Sequence, residues 1–100
     1  HYIYKVPKDI FYVSSKFAVN GITKYFATKH GKKLNINTIA NHGIEWKQPI
    51  DFKKKLVLNI PKKRMLKTED LFGIIELLCS KKNTFINGLT IVVDGGYSSW

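Results

Sequence analysis

The pattern of apolar and polar positions predicts a long helix near the start of the chain. From Ile10 to about Lys29, apolar residues recur at spacings of three, four and seven, which is typical of a helix. Asp9 is a plausible N-cap, and Gly31 is predicted to end the helix as a left-handed C-cap. A glycine inside a helix costs up to about 1 kcal/mol relative to alanine. Gly21 therefore suggests close approach by another segment.

A short strand and a long excursion are predicted next. Leu34–Ala40 alternates along its length, which favours a β-strand. The Asn41-His42-Gly43 run marks a loop at the carboxyl end of that strand, where open α/β sheets bind ligands. Residues 44–67 are weakly periodic and basic, with a short helical piece expected around Asp51–Leu58. A connection of this length is commonly a lid or a binding segment.

The last third of the chain predicts a second helix and a second strand. Thr68 resembles an N-cap, and the apolar pattern then continues to about Cys79, which is expected to be buried as a structural thiol. Leu89–Val93 is almost wholly apolar, which favours a strand covered on both faces in a parallel sheet. The Asp94-Gly95-Gly96 run then predicts a sharp turn.

The order helix, strand, long loop, helix, strand predicts an α/β fold with a parallel sheet, as in the C-terminal portion of a Rossmann-type doubly wound sheet. Two strands and two helices do not finish such a sheet, because the first strand keeps an open edge. The long helix would also keep an uncovered face. We therefore expect residues 1–100 to be the C-terminal part of one domain, incomplete as an independent unit.

Composition narrows the class of protein. One hundred residues with 44% apolar content indicate a globular chain of at most one domain. A single cysteine excludes an internal disulfide framework and fits a reducing cytoplasm. No apolar run is long enough to span a membrane, and the first residues do not resemble a signal peptide. His1, His30 and Cys79 have no ligand spacing, so we expect no metal site.

Net charge is +10, which raises the possibility of an anionic partner. Sixteen of the seventeen basic residues are lysine, whereas readers of nucleic acid usually rely on arginine for bases and phosphates. The lysines are also scattered along the chain. We therefore expect no nucleic-acid partner, and a solvated basic surface explains the charge more simply.

Candidate chemistry lies in the Tyr-x-x-x-Lys spacing. On a helix this spacing puts both side chains on one face, and a neighbouring ammonium lowers the pKa of a phenol by favouring the phenolate. Such a tyrosine can act as a general acid or base. The spacing occurs three times, as Tyr4/Lys8, Tyr12/Lys16 and Tyr25/Lys29. Spacing alone favours a surface tyrosine beside a solvated lysine, so the choice depends on context.

Several separated segments resemble the short-chain dehydrogenase/reductase family, in the right order and spacing over essentially the whole chain. Tyr12–Val19 resembles the active-site helix of that family, and Ile36–Ala40 resembles the strand that follows it. Thr68–Ser80 looks like the next helix, and Ile86–Gly96 is similar to the last strand and turn. Of the three Tyr/Lys pairs, only Tyr12/Lys16 has the spacing from the other segments that the family pattern has.

The resemblance implies a Rossmann-fold oxidoreductase that exchanges a hydride between NAD or NADP and a small-molecule carbonyl or secondary alcohol. Tyr12 would be the general acid/base, and Lys16 would bond the nicotinamide ribose and assist the ionisation of Tyr12. The loop at Asn41 and Ile44 would approach the nicotinamide through its main chain. Residues 45–67, including Trp46, would form the substrate lid. Family members commonly form dimers or tetramers through the tyrosine-bearing helix.

Within the family, the Ile3-Tyr4 lead-in and Pro61–Asp70 look most like reductases of flagellin-modification and nonulosonic-acid sugar pathways.

Three departures from the family pattern stand out. The glycine-rich dinucleotide fingerprint is absent, residues 1–11 contain no serine for the catalytic position, and Asn41-His42 replaces a Pro-Gly pair. We expect residues 1–100 to be inactive alone, with the cofactor seat upstream. The alternative is a non-catalytic remnant or subunit-interaction module. For His42, a loop residue without a special role is favoured.

Overall fold

The computed structural model describes residues 9–99, and its elements follow the order predicted from the sequence. They are α1 (Ile10–Lys29), β1 (Thr38–Asn41), α2 (Ile50–Val57), a 3₁₀ turn (Thr68–Leu71), α3 (Phe72–Cys79), β2 (Thr90–Val93) and a second 3₁₀ turn (Tyr97–Ser99). The strands pair in parallel, with Thr38 opposite Thr90 and Asn41 opposite Val93. The predicted α/β class is confirmed. The Tyr4/Lys8 pair lies outside the described residues.

The long helix α1 begins as predicted and ends for a different reason. The Asp9 carboxylate accepts a hydrogen bond from the Phe11 N–H at 2.8 Å, which confirms the N-cap. The prediction of a left-handed Gly31 is wrong, because Gly31 is not among the positive-φ residues of the described chain. A Cβ on Gly31 would instead clash with the Ala27 carbonyl oxygen and approach the Asn87 amide nitrogen to 3.0 Å. The glycine is needed for space, not for a positive φ.

The first strand is shorter than predicted and starts later. Leu34–Ala40 was the expected span, but β1 begins at Thr38 because side-chain amides bind the backbone before it. The Ile36 N–H donates to the Asn87 side chain at 2.9 Å. The Asn37 side chain bonds the loop before β2 in both directions, at 3.0 and 2.9 Å. These side-chain amides join the segments that lead into β1 and β2, which we call the strand entries, ahead of the first paired residues of the sheet.

Contacts between α1 and the sheet show that the helix runs antiparallel to the strands. Asn20 accepts a hydrogen bond from the Thr90 hydroxyl, at the start of β2, at 2.7 Å. Ala27, seven residues further along the helix, accepts one from Asn87, three residues before Thr90, at 2.9 Å. Moving towards the N-terminus of α1 therefore means moving towards the carboxyl ends of the strands.

The described chain has a small core. Its buried apolar residues are Ala27, Ile60, Met65 and Leu66. Three of these four belong to the excursion at residues 44–67, whose end pairs with its start at Ile44 and bonds the turn after β2 at Gly95. Most of the apolar surface of α1 is open, with Phe11 79% and Phe17 76% exposed. This agrees with the expected uncovered face. No other segment of residues 9–99 approaches the helical Gly21 within 4 Å.

The second helical region and β2 correct three expectations. Lys67, not Thr68, is the residue that precedes the 3₁₀ turn, and its N–H donates to the Asp70 carboxylate at 2.7 Å. Cys79 is exposed, so the expectation of a buried thiol is wrong. Val92 of β2 is also 57% exposed, which means that this strand is covered on one face only. The exposure of Cys79 and that of Val92 have one cause, since apolar patterns imply a covering layer that residues 9–99 do not supply.

Candidate active site

Two of the three Tyr/Lys pairs lie on α1, and their local geometry is the same. The Lys16 Nζ atom lies 5.5 Å from the centre of the Tyr12 ring. The Lys29 Nζ atom lies at the same distance from the Tyr25 ring and bonds the Tyr25 hydroxyl at 3.2 Å. Both tyrosines are about half exposed, at 50% and 55%. The tyrosine–lysine contact therefore does not distinguish a catalytic pair from two residues that are simply on the surface.

Position relative to the sheet does distinguish them. Tyr12 lies eight residues before Asn20, which is about 12 Å along a helix. Thr90, the partner of Asn20, lies three residues before the end of β2, which is about 10 Å along a strand. Since α1 is antiparallel to the strands, Tyr12 reaches the level of their carboxyl ends, whereas Tyr25 lies near the entries. Ligands of open α/β sheets bind at the carboxyl ends.

The loop after β1 holds the other residues expected to contact a cofactor. The Asn41 side chain donates to the His42 carbonyl oxygen at 2.8 Å, which shapes the start of the loop. Ile44 forms a parallel bridge with Leu66, and the Gln48 amide donates to the Ile44 carbonyl oxygen at 3.0 Å. The Asn41 and Ile44 backbone thus lies at the carboxyl end of β1, as expected. The Gln48 contact also bonds this loop to the start of the excursion.

Trp46 is open, as a lid residue would be. Trp46 is 72% exposed, and its backbone N–H donates to the Gln48 side chain at 2.7 Å. The Lys47 Nζ atom lies 5.7 Å from the ring centre. The backbone of this turn is therefore fixed while the indole remains accessible.

A cavity of about 160 Å³ lies behind the strand-end loop, and sequence reasoning missed it. Its walls are His42, Ile60, Lys62, Arg64, Met65, Leu66, Asp70, Asp94 and Gly95. The His42 ring packs edge-on against Tyr97, with ring centres 4.7 Å apart. The Nδ1 atom of His42 is buried and has no hydrogen-bond partner within residues 9–99. The expected site residues Tyr12, Lys16, Asn41, Ile44 and Trp46 are not in this wall.

The turn after β2 supplies one carboxylate of the cavity wall. Asp94 accepts hydrogen bonds from the N–H groups of Gly96 and Ser98, each at 3.0 Å. Burial alone would raise the pKa of Asp94, but these hydrogen bonds and the nearby His42 outweigh it, so the pKa is lowered. Positive φ angles of 63° at Gly95 and 93° at Gly96 explain why glycine occupies both positions.

The second carboxylate of the wall belongs to an ion pair. Arg64 donates to both oxygens of Asp70, at 2.7 and 2.9 Å, and also to the Met65 carbonyl oxygen at 3.1 Å. The hydrogen bond from Arg64, helped by the Lys67 N–H, holds the pKa of Asp70 far below its usual range. The same contact raises the pKa of Arg64. This pair fixes the end of the excursion to the start of the second helical region.

The Arg64–Asp70 pair predicts an acid-sensitive step in stability. A lowered folded pKa contributes stability that is present above the ordinary carboxyl pKa near 4 and is lost as the pH falls towards the folded value. We expect Asp70→Asn to lower the unfolding temperature at pH 7 and to flatten its decline below about pH 4. Glu69→Gln is the control, because Glu69 forms no ion pair within residues 9–99. Equal acid profiles for the wild type and Asp70→Asn would contradict the assignment.

Within residues 9–99, no group of three His, Cys, Asp or Glu side chains is placed to hold a metal ion. None of the helices in that range combines the length and the apolarity needed to cross a membrane.

Comparison with known proteins gives the family. The family model described as Enoyl-(Acyl carrier protein) reductase matches residues 3–98. The 2-dehydro-3-deoxy-D-gluconate 5-dehydrogenase of Dickeya dadantii is 36% identical over 93 residues, which cover 86% of this chain and 37% of that protein. The chain thus spans little more than a third of the length of this curated relative.

Solved structures agree. The short-chain dehydrogenase of Leptospira borgpetersenii with bound NAD⁺ has a TM-score of 0.82 and 26% identity, over 92% of this chain and 39% of that one. The gluconate 5-dehydrogenase of Burkholderia cenocepacia, in complex with NADP and tartrate, has a TM-score of 0.83 and 25% identity, over 96% and 41%. The fold is therefore of the Rossmann type, and the chain belongs to the short-chain dehydrogenase/reductase family.

Proposed function

We propose that residues 1–100 are the C-terminal part of one short-chain dehydrogenase/reductase domain and carry its catalytic helix. The observation that supports this most is the place of Tyr12 and Lys16, at the end of α1 that reaches the carboxyl ends of the parallel strands. The proposed reaction is the reduction of a small carbonyl compound, or the oxidation of a secondary alcohol, with NAD or NADP.

In this proposal Tyr12 donates or accepts the proton of the reaction. During reduction its hydroxyl donates a proton to the carbonyl oxygen, and during oxidation it accepts the proton of the alcohol. Lys16, one turn away, holds its Nζ atom 5.5 Å from the centre of the Tyr12 ring. When bound, the nicotinamide supplies or accepts the hydride at the substrate carbon.

The residues present fit the nicotinamide end of such a cofactor. Lys16 forms no ion pair within residues 9–99, so its ammonium is available to the ribose hydroxyls. The backbone of Asn41 and Ile44 lies at the strand end where the carboxamide would bind. No glycine-rich phosphate seat occurs in residues 1–100. We therefore propose that the dinucleotide seat and the catalytic serine precede residue 1, and that residues 1–100 alone are inactive.

The proposals for the substrate and for the cellular compartment are more general. The excursion with Trp46 is the proposed substrate lid, since it is long, is bonded to the turn after β2 and leaves Trp46 exposed. The Pro61–Asp70 segment supports a place among flagellin-modification and nonulosonic-acid sugar reductases. The polyhydroxy acids named for two of the similar dehydrogenases agree with a sugar-like substrate. We propose a cytoplasmic enzyme.

A specific observation also favours a second role, subunit interaction. The exposed Phe11 and Phe17 lie on α1, the helix that bears Tyr12, and apolar surface of this kind is buried when helices pair. We propose a homodimer or tetramer assembled through α1. If the chain lacked cofactor binding altogether, this interaction role would remain as the alternative function, with oligomeric mass by light scattering as its test.

Cofactor binding tests the proposed function. In the full-length protein, NADH or NADPH is expected to raise the unfolding temperature, because a ligand that binds only the folded state stabilises it. Lys16→Gln should weaken that binding by about tenfold, the effect of one charge-assisted hydrogen bond. Lys29→Gln removes the same charge from the other pair on α1 and should leave binding unchanged. No protection by either cofactor, or equal losses in both variants, would contradict the proposal.

A further inference from the structure

The second half of α1 is bonded to both strands of the sheet. The Asn20 side chain accepts a hydrogen bond from the Thr90 hydroxyl of β2 at 2.7 Å. The Thr23 hydroxyl forms a hydrogen bond with the Thr38 hydroxyl of β1. Thr38 and Thr90 are partners across the parallel ladder, and residues three apart on a helix share one face. These four polar side chains therefore meet at one level of the sheet, and we call them the helix–sheet polar contact.

In both hydrogen bonds the strand threonine is the donor and the helix residue is the acceptor. The Thr90 hydroxyl donates to the amide oxygen of Asn20. The Thr23 hydroxyl already donates to the Val19 carbonyl oxygen at 2.8 Å, and a hydroxyl has only one proton to donate. The Thr38 hydroxyl is therefore the donor to Thr23. Hydrogen bonds require a particular distance and angle, whereas apolar packing is non-directional. The contact thus fixes how far α1 lies along the strands and how it is rotated about its axis.

Burial in α1 is concentrated beside this contact. Thr23 and Ala27 are the buried residues of the helix as the structure describes it. The Ala27 carbonyl oxygen accepts the hydrogen bond from Asn87 at 2.9 Å, one turn beyond Thr23. The contact therefore lies in the part of α1 that is packed on the sheet, and Tyr12 lies beyond it, towards the N-terminus of the helix.

Tyr12 is far enough from the contact for a small tilt of the helix to displace it. It lies eight residues before Asn20, which is about 12 Å along a helix. A tilt of about 5° at Asn20 moves a group at that distance by about 1 Å. Misplacing a reacting group by about 1 Å can lower a rate by about 10²-fold. Lys16 lies only four residues before Asn20, so the same tilt moves it about half as far.

We propose that the helix–sheet polar contact positions Tyr12 for the proposed reaction. Its four members are positioning residues, because they bond one another at the start of both strands, whereas the reaction is proposed at the carboxyl ends. The two levels are about 10 Å apart along a strand, so the contact acts on the substrate only through α1. The inference rests on the proposed function, since it concerns the general acid/base of that reaction.

Removing the Thr90 hydroxyl in the full-length protein tests the inference. Thr90→Val keeps the shape of the side chain and suits a strand, but it leaves the Asn20 amide oxygen without its donor. We expect kcat to fall by about tenfold. The KM for the cofactor should change less, because Lys16 is displaced less than Tyr12. Thr90→Ser keeps the hydroxyl and should restore most of the kcat. Packing alone predicts the reverse order, because serine lacks the methyl group that valine keeps.

Thr28→Val is the matched control. It makes the same substitution on α1, where the Thr28 hydroxyl bonds carbonyl oxygens of its own helix, those of Lys24 at 3.1 Å and Tyr25 at 2.8 Å. This variant should leave kcat unchanged. A kcat of Thr90→Val equal to that of the wild type, or an equal fall in Thr90→Ser or in Thr28→Val, would overturn the inference.

Crystal structures of the full-length wild type and of Thr90→Val give a second readout, which needs no turnover. When the two are superposed on β1 and β2, the Tyr12 hydroxyl should be displaced by about 1 Å. Full turnover in Tyr12→Phe, together with such a displacement, would reject the proposed function alone. Lost turnover in Tyr12→Phe, with Tyr12 unmoved by Thr90→Val, would reject the inference alone.

Discussion

Tyr12→Phe in the full-length protein is expected to lower turnover by about 10²- to 10⁴-fold, the usual contribution of a positioned general acid or base. Removing one hydroxyl deletes the proton donor and leaves the ring in place. Because the hydroxyl acts in the transition state, kcat and kcat/KM should fall together. Cofactor affinity should stay close to that of the wild type. Steady-state kinetics with NADH or NADPH and a carbonyl substrate measures the effect.

Tyr25→Phe is the control for this prediction. It deletes the same hydroxyl from the same helix, beside a lysine whose Nζ atom lies 5.5 Å from the ring centre, as in the Tyr12 pair. Tyr25 lies near the strand entries, so its variant should keep full turnover. Both tyrosines are half exposed, and both variants should fold with unfolding free energies within about 0.5 kcal/mol of the wild type. Equal activity in the two variants would remove Tyr12 from the proposed mechanism.

Ile60→Ala is expected to give the largest loss of stability, about 3 kcal/mol. Ile60 is 1% exposed and is the largest fully buried side chain of the described chain. It also borders the cavity, so the space left by its deleted carbons adjoins an existing void and closes poorly. In the full-length domain, with about 2–4 °C per kcal/mol as is usual for 150–250 residues, such a loss lowers the unfolding temperature by about 6–12 °C. Calorimetry or denaturant unfolding measures it.

Ile50→Ala removes the same atoms from an exposed position. Ile50 opens α2 and is 64% exposed, so this variant should change the unfolding free energy by about 0.5 kcal/mol or less. Ile60→Val deletes one carbon and should cost about 1 kcal/mol, which keeps the series measurable if the alanine variant does not fold. If the two alanine variants were equally stable, the core would not lie where the excursion meets the strand ends.

Local signals in the sequence were enough for α1 and for the order of elements. The Asp9 N-cap and the helical spacing up to Lys29 depend on neighbouring residues only, and both are found in the structure. The helical piece around Asp51–Leu58 was also predicted, and α2 occupies Ile50–Val57. The Rossmann-type class followed from the element order together with the family resemblance.

Errors arose where distant residues decide the outcome. The start of β1 depends on Asn87, which bonds Ile36 from 51 positions away. The same side chain crowds Gly31 and so changes the reason for that glycine. Cys79 was expected to be buried because its helix is apolar, but burial depends on which segment covers the helix. No local pattern carries that information.

The candidate site was predictable in part. Spacing identified the Tyr/Lys pairs, and the family resemblance selected Tyr12 over Tyr25; the antiparallel packing of α1 on the sheet gives an independent reason for the same choice. The cavity around His42 had no signal in the sequence. Its walls come from the loop after β1, the end of the excursion and the turn after β2, which only the fold brings together.

The most direct test of the central claim is a crystal structure of the full-length protein with its nicotinamide cofactor bound. The measured quantity is the distance from the nicotinamide ring to the hydroxyls of Tyr12 and Tyr25. We predict that the ring lies beside Tyr12, with the Lys16 ammonium within hydrogen-bond distance of the ribose, at the carboxyl ends of β1 and β2. A nicotinamide ring bound away from Tyr12, or beside Tyr25 and Lys29 at the strand entries, would contradict the account.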